Sequence, residues 1–126
     1  VKDFVFNAIK NKKTIYGFGH KIYKDKDPRV HQLLDVCKKI KFNSKYIDIA
    51  QSIEAEITSQ KGKKIPLNID GLIAAILLEF GFSPKQGRGF FIIARTPGLV
   101  AQVVEELESE EPLRRIEEQQ IIYKGK

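Results

Sequence analysis

NIDGLIAAILLEFG, residues 68–81, is apolar on nearly every helical face, so it reads as a helix buried on most sides. Asn68 is a residue type that caps helices, and Gly81 supplies the left-handed stop. A helix buried that far needs other elements around it. Upstream, Phe4, Val5, Ala8 and Ile9 form an apolar stripe in VKDFVFNAIKNK, a short helix that ends before the loop carrying Gly17 and Gly19. Asp27 and Pro28 read as cap and first residue of a second helix reaching about Lys41, with Val30, Leu33, Leu34, Cys37 and Ile40 on one face. Asn43 or Ser44 caps a third, in which Ile47, Ala50, Ile53 and Ile57 recur at helical spacing until the polar run SQKGKKIP.

Downstream, Ser83 and Pro84 open a further helix through FFIIAR, and Thr96 with Pro97 restarts or kinks it before Val100, Val103, Val104 and Leu107 continue the stripe. The β-branched and aromatic residues of GFFIIAR suit a buried strand too, but no alternating segment elsewhere can pair with it. The expected class is all-α, with an irregular tail from Glu111 that carries Arg114 and Arg115.

With 126 residues and no apolar run near the roughly 20 residues of a membrane span, the chain reads as a globular, cytoplasmic protein. It contains no methionine and opens on Val1 inside an expected helix, which reads as a piece of a longer protein. Cys37 is expected to fill core rather than to react, since an internal disulfide is excluded by its being the only cysteine. Charge is uneven: fifteen of the 22 bases but only seven of the 16 acids fall in residues 1–66, a net of +8 there and −2 beyond. A basic half draws nucleic acid or a phosphate-bearing small molecule, but RNA-binding aromatic signatures and zinc-ligand spacings are missing.

Few residues carry chemistry. His20 follows Gly17 and Gly19, whose freedom lets backbone approach a ligand closely, while His31 reads as a solvated surface residue. Asp70 stands in the first turn of the apolar helix, where a carboxylate either assists the helix start or serves as a base at the edge of buried space. Arg29 and Arg95 lie by apolar segments, and a buried guanidinium requires an anion, either a structural carboxylate or a substrate one. Lys21, Lys24 and Lys26, with Lys61, Lys63 and Lys64, form two basic loops.

In order and spacing, VKDFVFNAIKNKKTIYGFGHKIYKDKDPR, NIDG, FFIIARTPGLVAQ and RIEEQQIIYKG resemble the C-terminal portion of the citrate synthase family, which includes citryl-CoA lyase and the citrate-cleaving module of ATP-citrate lyase. The resemblance implies that residues 1–76 form most of the small CoA-binding domain and residues 77–126 the return to the large domain and its C-terminal arm. It implies that His20 donates a hydrogen bond to the oxaloacetate carbonyl and that Asp70 removes the methyl proton of acetyl-CoA. Arg29 and Arg95 are expected to clamp carboxylates, Phe91 to line the pocket, and Arg115 to take the arginine placement of the lyase-like branch. Ile15, Tyr16, Gly17, Phe18 and Gly19 are expected to face the CoA adenine, and Lys24, Lys63 and Lys64 its phosphates.

Acetyl-CoA and oxaloacetate or citrate are thus the expected partners, with a CoA thioester as substrate, no permanently bound cofactor or metal, no nucleic acid and no membrane, in a homodimeric parent. A further family histidine, which holds the enolate in an HGGA-like segment, is absent from this sequence, so the piece alone is expected to be inactive. Glu118 and Gln119 stand where typical synthases carry an Arg-Pro pair. Citryl-CoA lyase and 2-methylcitrate synthase are the sister readings, and a non-catalytic CoA- or nucleic-acid-binding helical module is the alternative from another class.

Overall fold

The computed structural model describes residues 1–109 and Ile122. Five helices follow in order: α1 (Lys2–Lys10), α2 (Pro28–Lys39), α3 (Lys45–Lys61), α4 (Ile69–Glu79) and α5 (Pro84–Ser109). No strand occurs among the described residues, and the only pairing of extended chain there is an isolated antiparallel bridge between Phe18 and Leu67. The all-α expectation is met.

Local signals set the helix ends. Asp27, Ser44 and Asn68 each cap a helix by accepting a backbone N–H into the side chain, from Arg29, Ile47 and Gly71 respectively. Gly62 closes α3 in the left-handed conformation, and Gly81 adopts φ +79° just after α4. Asn43 therefore does not cap α3, and residues 90–95 are helical rather than a strand. Pro97 lies inside α5 without a restart, because Thr96 and Pro97 continue the helical run.

The chain divides into two compact units, Val1–Phe91 and Ile92–Lys126. In the first, α3 packs on α4, with α1 against α3 and α2 against α4. Val30, Cys37, Ile47, Ala50, Leu67, Leu72 and Ala75 form the core, and Phe18, Leu33, Leu34 and Phe42 close over it. Burying Leu67 and Leu72, both essentially inaccessible, stabilises the unit by about 1.5–3 kcal/mol each. Cys37 is core filler, as its helical face suggested. Helix α4 is less enclosed than its composition suggests: Leu72, Ala75 and Leu77 are buried, but Ala74 and Leu78 reach solvent. In the second unit the described helical residues, Arg95 among them, are exposed. No described helix is long and apolar enough to cross a membrane.

Candidate active site

The Gly17–Gly19 loop is joined to the start of α4. Asn68 donates its backbone N–H to the Gly17 carbonyl at 2.9 Å and its side-chain amide to the Gly19 carbonyl at 2.9 Å, while the Gly19 N–H donates to the Pro66 carbonyl at 2.7 Å. The approach is close enough to require glycine on both sides. Gly17 and Gly19 hold φ +89° and +80°, and a Cβ on Gly71 would stand 2.5 Å from the Gly17 oxygen and 3.0 Å from its Cα. The freedom of these glycines serves chain-on-chain packing, and the Gly19 N–H already has a partner. This junction fastens Gly19, the residue before His20, to Asn68, two residues before Asp70.

His20 is half-buried, and its Nδ1 accepts the backbone N–H groups of Ile22 and Tyr23, each at 3.1 Å. A nitrogen that accepts two donors carries no proton, so the neutral ring bears its proton on Nε2. Asp70 is exposed in the first turn of α4 and takes no hydrogen bond from the described residues; capping belongs to Asn68. The carboxylate is thus free to act on a ligand.

Arg29 is held by Asp27. Oδ1 of Asp27 accepts Arg29 Nε at 3.0 Å and the Arg29 backbone N–H at 3.1 Å; Oδ2 accepts Nη2 at 2.8 Å and the Ile69 backbone N–H at 3.1 Å. One side chain, 1% exposed, therefore caps α2, grips the guanidinium by two nitrogens and ties down the residue before Asp70. The Arg29 side chain keeps 40% of its surface. The hydrogen bond from Arg29 holds the Asp27 carboxyl below the usual carboxylate range against the opposing effect of burial, and the Arg29 and Ile69 N–H groups add to it. Reciprocally, Asp27 raises Arg29 above its ordinary value, first by that hydrogen bond and then by its charge, with smaller support from Tyr23 and Asp70. Of the two anions sequence left open for Arg29, the structure supplies the structural one.

Clefts lie around these residues; besides a small one of about 200 Å³ lined by Tyr16, Phe18, Leu67 and Gly71, three larger ones occur. One of about 400 Å³ is lined by Asp70, Phe91, Arg88 and the apolar Ile73, Ala74 and Leu77. A second, about 420 Å³, combines Ile15, Phe18 and Ile65 with Lys12, Lys13 and Lys61. The third and largest, about 650 Å³, lies between α2 and α3 and includes Lys26, His31, Glu54 and Lys64. No grouping of three or more potential metal ligands occurs among the described residues.

A family profile described as citrate synthase, C-terminal domain, matches residues 1–117. The chain belongs to the citrate synthase family. Citrate synthase 2 of Bacillus subtilis is 29% identical over 114 residues, which are 88% of this chain and 30% of that protein. ATP-citrate synthase subunit 1 of Sordaria macrospora is 30% identical over 121 residues, 83% of this chain and 18% of that one. The solved structure of citryl-CoA lyase from Hydrogenobacter thermophilus superposes with a TM-score of 0.87 at 46% identity, across 99% of this chain and half of that one. The chain thus spans less than a third of the length of the two curated synthases and half that of the lyase.

For a citrate synthase family chain, the residues expected at the site are partly gathered. His20, Arg29 and Asp70 share the junction, and Phe91 joins Asp70 on one cleft. Arg95 is exposed in the second unit, not buried as its apolar neighbours suggested, because Ile92 and Ile93 beside it are exposed as well. Arg115, with Glu118, Gln119 and Tyr123, lies outside the described residues. Of the expected CoA contacts, Ile15 and Phe18 line the second cleft, Tyr16 is 88% exposed, Lys24 donates to the His20 carbonyl at 3.2 Å, Lys63 is exposed and Lys64 lines the α2–α3 cleft. They do not converge on one cleft. Sequence reasoning passed over Lys12, Lys13, Arg88 and Tyr23. A positive φ at Lys12 was invisible there, and Tyr23, though it lies inside GFGHKIYKDKDPR, was assigned no role.

Proposed function

We propose that the chain carries the acid–base part of a site that makes or breaks the carbon–carbon bond of citryl-CoA. In the condensing direction, Asp70 takes a methyl proton from acetyl-CoA. The enolate attacks the carbonyl carbon of oxaloacetate, and His20 Nε2–H donates a hydrogen bond to the oxygen as it becomes an alkoxide, which takes up a proton to give citryl-CoA. Hydrolysis of the thioester by water then gives citrate and CoA. Cleavage runs the same steps backwards, from citryl-CoA to acetyl-CoA and oxaloacetate, through a shared transition state. The observation that carries the reading is the double donation to His20 Nδ1, which leaves the Nε2 proton available one residue from the junction that presents Asp70.

Arg29, fixed on one edge by Asp27 and open on the other, is the carboxylate ligand in this reading, with Arg95 and Arg115 as further ones and Phe91 at the pocket wall. The lysines of the second cleft, Lys12, Lys13 and Lys61, stand beside Ile15 and Phe18 where nucleotide phosphates of CoA would lie. Residues 1–76 then serve as the CoA-binding part of a homodimeric enzyme, and residues 77–126 as its C-terminal return.

Identity of 46% to a citryl-CoA lyase favours cleavage as the physiological direction over net synthesis. The test is a product assay on the intact protein that carries this sequence, with oxaloacetate plus acetyl-CoA, oxaloacetate plus propionyl-CoA, and citryl-CoA offered separately. Acetyl-CoA and oxaloacetate released from citryl-CoA support the lyase reading, and citrate formed from acetyl-CoA supports the synthase one. Binding of DNA by calorimetry with no response to any CoA thioester would sink both.

A further inference from the structure

Tyr23 has no role in the reading above, yet it touches two residues that do. Its backbone N–H is one of the two donors to His20 Nδ1. Its ring stacks on the imidazole, with centroids 4.6 Å apart and planes 29° from parallel. On Arg29, the guanidinium carbon stands 5.9 Å from the centroid of the same ring. The residue is half-buried, so this surface is partly shielded from water.

The two backbone bonds hold His20 at Nδ1, but hydrogen bonds tolerate some tilt of the ring plane, which would displace Nε2. A stacked aromatic face removes that freedom, since offset stacking fixes the ring plane as well as its separation. Arg29 has the matching need. Asp27 holds its Nε and Nη2 edge, and the Tyr23 ring meets it from another direction by a cation–π contact. Neither Asp27 nor the glycine junction fixes both side chains.

We propose that Tyr23 is a positioning residue: its ring, in contact with both the His20 imidazole and the Arg29 guanidinium, sets the direction of the Nε2 proton relative to the carboxylate-binding arginine. The proposal rests on the citryl-CoA reading for its consequence in catalysis, but its geometric claim does not. The ring and not the phenol hydroxyl is responsible, so phenylalanine preserves the function and leucine removes it.

The test has two arms. In the chain itself, the carbon-bound ring protons of His20 are followed by NMR and separated from those of His31 with the variant His31→Gln. Tyr23→Leu should remove the aromatic ring-current shift of the His20 protons, and Tyr23→Phe should retain it, with circular dichroism confirming that both variants are folded. In the intact protein, Tyr23→Leu should lower kcat about 10-fold or more while KM for the CoA thioester moves less than about 2-fold, because misdirected groups slow the chemical step rather than binding. Tyr23→Phe should stay within about 2-fold of wild type in both. His20 shifts unchanged in Tyr23→Leu would overturn the proposal, as would an equal loss of kcat in Tyr23→Phe. An intact wild-type protein inert towards every CoA thioester would remove the functional reading, and the NMR arm would still decide the placement of His20.

Discussion

Replacing Asp27 with alanine tests how the junction is held. Four hydrogen bonds end on its two carboxylate oxygens, from Arg29 N, Nε and Nη2 and from Ile69 N. Loss of the α2 cap costs about 1 kcal/mol. Leaving the half-buried Ile69 N–H without an acceptor adds about 1–3 kcal/mol. The ion pair adds less than about 1 kcal/mol, because the Arg29 side chain is 40% exposed and water can take over its donors. The expected loss is therefore about 3 kcal/mol, or roughly 10 °C in Tm for a chain of this size. Asparagine keeps the volume and one acceptor, but it turns an amide NH2 towards Arg29 Nη2 and the Ile69 N–H, so about 2 kcal/mol should still be lost. Urea unfolding followed by far-UV circular dichroism reads both values. A loss below about 1 kcal/mol for Asp27→Ala, or an asparagine variant as stable as wild type, would refute the idea that one carboxylate ties α2, Arg29 and α4 together. The pH dependence follows from the same group. Its folded pKa is depressed, so its contribution is fully present above the unfolded value of about 3.9 and is lost as pH falls through the folded value. Wild type should lose this increment below about pH 4, and Asp27→Asn should show no such increment.

Two further substitutions probe the junction and its chemistry. Gly71→Ala places a methyl 2.5 Å from the Gly17 oxygen and 2.7 Å from Leu67 Cδ1, so it should destabilise by about 3 kcal/mol in the same unfolding experiment; a neutral result would mean that the loop yields freely. Asp70→Asn in the intact protein should lower kcat about 10²–10⁴-fold while CoA binding, measured by calorimetry, is largely kept. Retained turnover would take proton abstraction away from Asp70.

The helices were legible because their signals are local. Asp27 before Pro28, Asn68 before an apolar run and a glycine after it each act within one turn, and all fall where those residue types put them. Cys37 was placed correctly by a four-residue period. The joins between helices were not legible. Asp27 reads as a cap from sequence, but its second oxygen serves Ile69, 42 residues away, and no periodicity encodes that bond. Gly17 and Gly19 promise a close approach without saying to what; Gly17 meets Gly71, and Gly19 meets Ile65, Pro66 and Asn68. Arg95 was expected to be buried because its neighbours are apolar, and composition cannot tell whether anything covers an apolar stretch. Tyr23 was missed because stacking depends on a loop conformation that no spacing rule describes.

The Asn68–Gly19 bond closes 49 residues of chain. For a flexible chain, bringing such ends together costs roughly 3 kcal/mol of entropy before any contact repays it. The helix turns pay almost none of this, since their bonds join near neighbours, so folding should order α2, α3 and α4 first and fasten the glycine loop to them afterwards. Opening should run in reverse, with Gly19 and Asn68 amides exchanging hydrogen faster than that of Leu72 in the core; equal protection would contradict this order. The loop that carries His20 would then part from the start of α4 while most of the helical scaffold persists, so in the intact protein any turnover that rests on His20 and Asp70 should fade before the circular dichroism does.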